Sequence, residues 1–496
     1  MDLKKLQNGS DVRGIALGED RNLTEEAVQK IADAFCYWLT QKTGRKDLTL
    51  AVGMDSRISG PALKKVCIDA FAQSGAQVLD CGMASTPAMF MTTVTDGFMS
   101  DGAVMITASH LPSNRNGMKF FTKDGGLEKT DIAEVLALAE QDRAVRGTGS
   151  VKQVDFMSVY SDILVKKVQE ATGKQQPLSG LKIIVDAGNG AGGFYTKQVL
   201  EPLGADTTGS QFLEPDGTFP NHIPNPENNE AMASIVDAVK KTNADFGLIF
   251  DTDVDRASAV DKGGIPLNKN RLIAAISAIL IAEHPGAAIV TDSITSDGLT
   301  EFIESRGGIH RRFKRGYKNV INEAIRLNHE GEYTPLAIET SGHAALKENY
   351  FLDDGAYLVT RFIIELARLH HQGKAFASLI DGLREPKESV EFRLSIGEDD
   401  FKAYGNQVID TLREIAATDA LLTPAPAEKN NEGIRVSLGK DHGDGWFLVR
   451  LSLHEPLLPV NIESNIEGGA KAIAKILLDR ISRFDKLDLS SLKAFV

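Results

Sequence analysis

The chain has 496 residues, 42% hydrophobic and 25% charged, with 55 Lys and Arg against 68 Asp and Glu for a formal charge of −13. That length exceeds one hydrophobic core and predicts three or four domains. The acidic balance argues against a nucleic-acid backbone or an anionic membrane surface as partner, while a local group of Arg and Lys still admits a small anionic substrate.

Short β-rich apolar runs alternate with amphipathic helical stretches, which predicts an α/β architecture. The first region offers a helix at Thr24–Lys42, a strand at Leu48–Gly53, a helix at Pro61–Ser74 and strands at Gln77–Asp80 and Ala103–Thr107. The polar stretch Arg143–Val151 reads as the end of this unit. The pattern restarts with a helix at Phe156–Thr172, the strand Leu181–Asp186, a Gly-rich turn and another helix. A loop rich in Pro and Asn, Glu214–Asn229, then leads to a helix and the strands Phe246–Phe250 and Ala257–Val260. A third restart gives the helix Asn268–Glu283, the strand Ala287–Asp292, the helix Asp297–Arg306 and the strand Ile309–Lys314. The tail, after a helical stretch at Asp354–His371, reads as α+β. Its elements are strands at Ser389–Ser395, Gly433–Leu438 and Trp446–Leu453 and helices at Phe401–Ala416 and Gly469–Arg483.

Cys36, Cys67 and Cys81 are few, odd in number, without metal-ligand spacing and set in apolar surroundings, so they read as buried thiols in a reducing compartment. The N-terminal segment has no apolar core of a secretion signal, and the longest apolar run, Leu272–Ala282, is far short of the ~20 residues of a membrane span. A cytoplasmic protein is expected.

The strongest pointer to chemistry is Asp251-Thr-Asp253-Val-Asp255-Arg256, three carboxylates at every second residue just after an apolar strand. Such like charges repel unless a cation sits among them, and oxygen ligands suit a hard divalent ion such as Mg2+. An EF-hand calcium loop is excluded, because its sixth and twelfth positions, Gly and Glu, are here Arg256 and Lys262. Ser109 follows the strand Ala103–Thr107, where α/β folds place their chemistry, with His110, Arg115 and Lys119 near in sequence as phosphate partners. It lacks the Gly-x-Ser-x-Gly elbow of a hydrolase. Gly188-Asn-Gly190-Ala-Gly-Gly193 fits a dinucleotide fingerprint weakly and reads first as a tight strand-to-helix turn. Glu339-Thr-Ser341-Gly-His343 could recognise sugar hydroxyls, and Arg450-Leu-Ser452-Leu-His454-Glu-Pro456 could hold a phosphate.

Taken in chain order, Thr107-Ala-Ser109-His110, Asp251–Arg256, Glu339–His343 and Arg450–Pro456 together resemble, over essentially the whole length, the α-D-phosphohexomutase family, the phosphoglucomutase and phosphomannomutase enzymes. Further matches are Asn8-Gly-Ser-Asp-Val-Arg13-Gly, Gly53-Met-Asp-Ser-Arg57, Asp186-Ala-Gly-Asn-Gly190, Pro224-Asn-Pro-Glu227 and Gly316-Tyr-Lys318. The resemblance implies three similar α/β domains with mixed sheets plus a C-terminal α+β domain, with the active site in a central cleft. The expected domains are a phosphoserine-loop domain at 1–152, a metal-loop domain at 153–262, a sugar-loop domain at 263–382 and a phosphate-clamp domain at 383–496.

The resemblance further implies transfer of phosphate between O1 and O6 of glucose or mannose phosphate, through phosphorylated Ser109 and a bisphosphosugar. Mg2+ would be held by Ser109 phosphate, Asp251, Asp253 and Asp255, with a hexose 1,6-bisphosphate as activator. Arg256 would steady developing charge, and Lys119 and His343 are the acid/base candidates. Arg13, His110, Lys318, Glu339, Ser341, Arg450, Ser452 and His454 would bind substrate, a small hexose phosphate. The chain departs from the family pattern at Leu111, which precedes Pro112 where the family usually has Asn, and at Thr252 and Val254, which stand between the aspartates where the family usually has Gly. It departs again at Leu453 and His454, which replace Gly and Thr of the phosphate loop, a change that weakens the clamp or alters the substrate. The alternatives are a glucosamine-phosphate mutase, whose sugar loop commonly carries Gln at the place of Thr340, a non-catalytic phosphosugar-binding relative, and a nicotinamide-dependent dehydrogenase.

Overall fold

A computed structural model describes residues 2–141, 143, 147–426, 429–452 and 455–496. The chain forms two compact units, one of residues up to Ile279 with Ser341–Leu379, the other of Leu280–Thr340 with Ile380–Val496.

The first unit is built on two mixed sheets. The larger comprises β1 (Gln7–Asn8), β2 (Asp11–Ile15), β3 (Thr49–Met54), β4 (Gln77–Met83), β5 (Gly102–Ile106), β6 (Arg115–Thr122), β7 (Gly125–Gly126) and β8 (Ser150–Gln153). Their order is β1-β2-β6-β5-β3-β4-β8, with β7 on β6. β3 lies parallel to β4 and β5, whereas β5, β6 and β2 run antiparallel. β5 is buried along its whole length, which is why it reads as an unbroken apolar run. The helix Glu25–Thr43 starts where the Thr24 side chain accepts from Ala27 N and stops at left-handed Gly44. Its Phe35 ring packs on Phe71 and Phe120 in the core.

The second sheet contains β9 (Ile183–Asp186), β10 (Phe246–Phe250), β11 (Ala257–Asp261) and β12 (Ile265–Leu267), in the order β12-β11-β10-β9. Only β9 and β10 are parallel. Parallel pairing brings carboxyl ends together, so Asp55 and Ser109 emerge side by side beyond β3 and β5, and Gly188 and Asp251 beyond β9 and β10. The antiparallel hairpin Ala344–Leu346 and Leu352–Asp353 leads into the buried helix Gly355–His371. Asp354 caps that helix through Tyr357 N and accepts from the Tyr160 hydroxyl at 2.7 and 2.8 Å, tying it to the helix Phe156–Thr172.

In the second unit the strands Ala288–Asp292, Ile309–Phe313 and Leu336–Ile338 are parallel, with Ala288–Asp292 central, and alternate with the helices Asp297–Ser305 and Tyr317–His329. The C-terminal part is an antiparallel sheet in which Leu457–Ser464 lies between Glu388–Ser395 and Gly445–Val449, with Ile434–Leu438 and Thr423–Pro424 beyond. The helices Phe401–Thr418 and Gly469–Ile481 bury an apolar face in its core. No helix among the described residues is long and apolar enough to cross a membrane, and all three cysteines are buried free thiols.

At the close of the polar stretch Arg143–Val151, β8 adds a strand beside β4. Two sequence expectations need correction. The strand expected at Trp446–Leu453 stops at Val449, and Leu453 lies outside the described residues. The helix expected after the Gly-rich turn is a tight 3₁₀ turn at Ala191–Gly193 followed by a short π-helix at Tyr195–Leu200.

His222 secures the end of β9. Its Nδ1 faces the Ile223 carbonyl at 2.9 Å and its Nε2 faces the Asp186 carboxylate at 3.0 and 3.1 Å. Both partners only accept, so this geometry favours the doubly protonated ring. Burial opposes that charge, but Asp186 outweighs it and raises His222 above the ordinary 6.5. The stabilisation is therefore complete below pH 6.5 and is lost as pH rises through the folded value. His222→Gln is expected to cost about 1.5–3 kcal/mol at pH 6 in urea unfolding, and the gap from wild type should narrow steadily as the titration is repeated at higher pH.

Candidate active site

The serine and acidic loops meet within the first unit. Ser109 is buried, has a left-handed backbone (φ 52°), and donates from Oγ to Asp251 Oδ2 at 3.1 Å. Arg256 Nη2 donates to the same Oγ at 3.0 Å, and His110 Nδ1 lies 3.3 Å away. Its own backbone N–H is held by Thr107 Oγ1, which donates in turn to buried Asp55. Two loops 142 residues apart thus share one hydroxyl.

The acidic loop turns on backbone contacts. Asp251 N donates to Arg256 O, and Arg256 N returns a bond to Asp251 Oδ1. Arg256 also bonds Asp251 Oδ2 through Nε at 3.0 Å and Asn225 Oδ1 through Nη1 at 3.3 Å. Val254 adopts φ 67°, unusual for a β-branched residue, and its carbonyl accepts from Gly355 N. Neighbouring backbone packs so closely that a Cβ on Gly355 would lie 2.6 Å from the Arg256 carbonyl carbon. Gly190 stands 2.7 Å, by the same measure, from Thr252 Cα. The Gly188–Gly193 turn therefore spends its close approach on the acidic loop, which removes the physical basis for the dinucleotide alternative.

Asp251, Asp253 and Asp255 are all buried, and their ligand oxygens lie within 4.8 Å of one another. Lys119 answers part of this charge: its ammonium bonds Asp255 and lies 3.2 Å from Asp253. β6 delivers it, pairing Lys119 with Met105 of β5. Thr86 donates to Asp253 Oδ2 at 2.5 Å. Asp253 Oδ1 and Asp255 Oδ1 remain buried without a hydrogen bond among the described residues. When all three carboxylates are ionised they exceed Lys119 and Arg256 by one negative charge, and the donors are all hard oxygens. That combination fits a divalent cation such as Mg2+. Burial and the charge of Asp255 push the Asp251 carboxyl well above the ordinary range. Burial would raise Asp255 as well, but Lys119 and Arg256 overrule it and hold that carboxyl low.

His343 approaches from the segment Ser341–His343, which is bridged to Arg256. Its Nδ1 meets Ser341 Oγ at 2.9 Å, and its Nε2 faces Asp353 Oδ2 at 3.6 Å and Asp255 Oδ1 at 3.8 Å. Burial, then Arg256 and Lys119, drive this imidazole well below 6.5, and burial with Arg256 and Arg13 lowers His110 to about 3, so both rings are neutral at pH 7. Arg13, on β2, is paired with Asp11 at 2.8 Å.

The other expected residues lie in the second unit. Glu339 Oε1 accepts from Gly316 N at 2.6 Å, and Lys318 stands in the first turn of the helix that follows. Glu432 accepts from Ser293 Oγ and from Arg315 N, and its other oxygen lies 4.0 Å from Arg450 Nη1. Arg450 Nε is buried without a hydrogen bond among the described residues. Ser452 Oγ accepts from Glu455 N. His454 and Leu453 lie outside the described residues. Sequence reasoning assigned no role to Thr86, Asn225, Asp353 or Glu432. Asn225 alone carried a signal, through Pro224-Asn-Pro-Glu227.

Gly190→Ala is expected to destabilise the chain by about 1–3 kcal/mol through overpacking on Thr252, measured as a lower urea midpoint. A midpoint equal to wild type would show that the turn does not brace the acidic loop.

Comparison with known proteins agrees with this geometry. Family models described as phosphoglucomutase/phosphomannomutase alpha/beta/alpha domains I, II and III match residues 4–145, 158–264 and 268–385. The chain is 30% identical over 487 residues to a phosphomannomutase/phosphoglucomutase of Pseudomonas aeruginosa, covering 96% of this chain and 95% of that protein. It is also 30% identical over 467 residues to a phosphoglucomutase of Neisseria gonorrhoeae, covering 93% and 94%. A crystal structure of a phosphoglucomutase/phosphomannomutase family protein from Burkholderia thailandensis superposes with a TM-score of 0.81 at 26% identity, covering 98% of this chain and all of that one. By sequence and fold, the chain belongs to the phosphoglucomutase/phosphomannomutase family.

Proposed function

We propose that the chain is a phosphohexomutase, moving a phosphoryl group between O1 and O6 of a glucose or mannose phosphate. The observation that carries this reading is the shared hydroxyl: Ser109 Oγ lies 3.0 Å from Arg256 Nη2 and 3.1 Å from Asp251 Oδ2. A nucleophile so placed exchanges a phosphoryl group beside a guanidinium and a cation site, and positioning and charge neutralisation do most of the work of such a transfer.

Ser109 begins the cycle phosphorylated. A sugar hydroxyl oxygen attacks the phosphorus, the bond to Ser109 Oγ breaks, and the hydroxyl proton passes to neutral His343. Arg256 steadies the negative charge that collects on the departing Oγ. Reversal with the sugar turned end for end returns the other phosphoryl group to Ser109, and the proton to the sugar oxygen left behind. Lys119 offsets the charge of Asp253 and Asp255 throughout. A Mg2+ ion held by Asp251, Asp253, Asp255 and a phosphoryl oxygen on Ser109 supplies further charge neutralisation when bound.

Arg13, His110, Lys318, Arg450, Ser452 and His454 are assigned to the substrate phosphate, and Glu339 and Ser341 to sugar hydroxyls. A hexose 1,6-bisphosphate acts as activator by phosphorylating Ser109. The domain boundaries that fit this assignment are 1–152, 153–262, 263–382 and 383–496, in a cytoplasmic enzyme.

Purified protein incubated with α-glucose 1-phosphate, Mg2+ and a trace of glucose 1,6-bisphosphate should yield glucose 6-phosphate, read by a coupled dehydrogenase. Ser109→Ala should abolish product and the added phosphate seen by intact mass. Asp253→Asn should lower turnover by roughly 100-fold or more, as expected for weakening the hold on a cation that neutralises transition-state charge, with the far-UV spectrum unchanged. Absence of product from glucose, mannose and glucosamine phosphates alike would replace this reading with that of a phosphosugar-binding protein.

A further inference from the structure

Arg57 lies two residues after Asp55, beyond the end of β3, and its side chain is wholly inaccessible to solvent. Among the described residues, the hydrogen bonds of its guanidinium run to the backbone of the serine loop and not to the acidic loop. Nη1 donates to the carbonyls of Pro112 at 2.8 Å and Arg115 at 2.9 Å, and Nη2 donates to those of Ser109 and, at 2.6 Å, Leu111. Its Nε faces Asp55 Oδ2 at 3.3 Å. The Phe219 ring lies over the guanidinium, 5.4 Å away.

One planar cation thus gathers four carbonyls from a seven-residue turn. Those carbonyls converge because the turn carries Ser109 at a positive φ, a conformation that a residue with a side chain holds only when its surroundings impose it. Asp55 completes the grip, since it accepts from Thr107 Oγ1, which accepts from Ser109 N. Both backbone groups of Ser109 are therefore fixed by the Gly53–Arg57 segment. Only a fork of fixed geometry can serve four acceptors from one point; an ammonium has three donors and no plane.

We infer that Arg57 is a positioning residue for phosphoryl transfer, which holds the strained serine loop so that Ser109 Oγ points between Asp251 and Arg256. The inference rests on the mutase reading of Ser109. Loss of the fork lets the turn relax, and misplacement of a reacting atom by about 1 Å is enough to cost about 100-fold. Substrate contacts stay intact, so the loss falls on the chemical step and not on binding.

Quench-flow measurement of Ser109 phosphorylation by glucose 1,6-bisphosphate tests this, alongside steady-state kcat and KM, in wild type, Arg57→Lys and Phe219→Ala. Arg57→Lys is expected to slow the single-turnover phosphorylation and kcat about 100-fold while KM stays within about threefold. Phe219→Ala, which leaves the fork but opens its face to water, should show a several-fold loss of the same kind and keeps the test available if Arg57→Lys does not fold. A folded Arg57→Lys protein with wild-type phosphorylation rate, or a loss that appears in KM alone, overturns the inference. If Arg57→Lys does not fold, a wild-type phosphorylation rate in Phe219→Ala does so. Failure of the wild-type protein itself to phosphorylate Ser109 overturns the mutase reading, and the two failures cannot be confused.

Discussion

Three buried carboxylates that share one small volume dictate much of this structure. Two like charges about 4 Å apart repel by about 4 kcal/mol at an effective dielectric of ~20, and burial removes the water that would screen them. The acidic loop persists because positive charge reaches it from two directions. Arg256 comes from the loop itself, and Lys119 from the middle of a strand in a different sheet. The antiparallel register of β5 and β6 is therefore an electrostatic requirement as much as a packing one, since a slip of one residue would turn Lys119 to the other face.

The same region stores conformational strain. Ser109 and Val254 both sit at positive φ without being glycine, at a cost of order 1–3 kcal/mol each. What holds them is hydrogen bonding from outside their own loops. Thr86 N takes the Asp253 carbonyl, Gly355 N takes that of Val254, and the Arg57 guanidinium takes that of Ser109. Rigidity at the centre is thus imposed by distant segments, which explains why chemistry and fold stability meet in the same residues.

Much of the architecture was legible. The helix Phe156–Thr172 matches its sequence pattern residue for residue, because an amphipathic period is bracketed by the Asp155 cap and left-handed Gly173. What could not be read has physical causes. β6 hides because Arg115, Asn116, Gly117 and Lys119 break the apolar alternation, and Lys119 is buried for electrostatic reasons that the local sequence does not show. The central strand Leu457–Ser464 hides behind Pro459, tolerated because its missing N–H faces past the end of Gly445–Val449, on the side where its carbonyl meets Arg450 N. In the site, Ser109 and the three aspartates announced themselves by motif. Thr86 and Asp353 did not, since their roles arise only from the approach of segments far apart in sequence.

Gly190 and Gly355 have a consequence for how such a site changes over time. They wall the acidic loop with main chain on two sides, so its mould is cast in peptide groups and not in side chains. Outlying side chains can change in charge, volume and polarity without reaching that wall, provided these two α-hydrogens stay in place and Arg256 and Lys119 still face the loop.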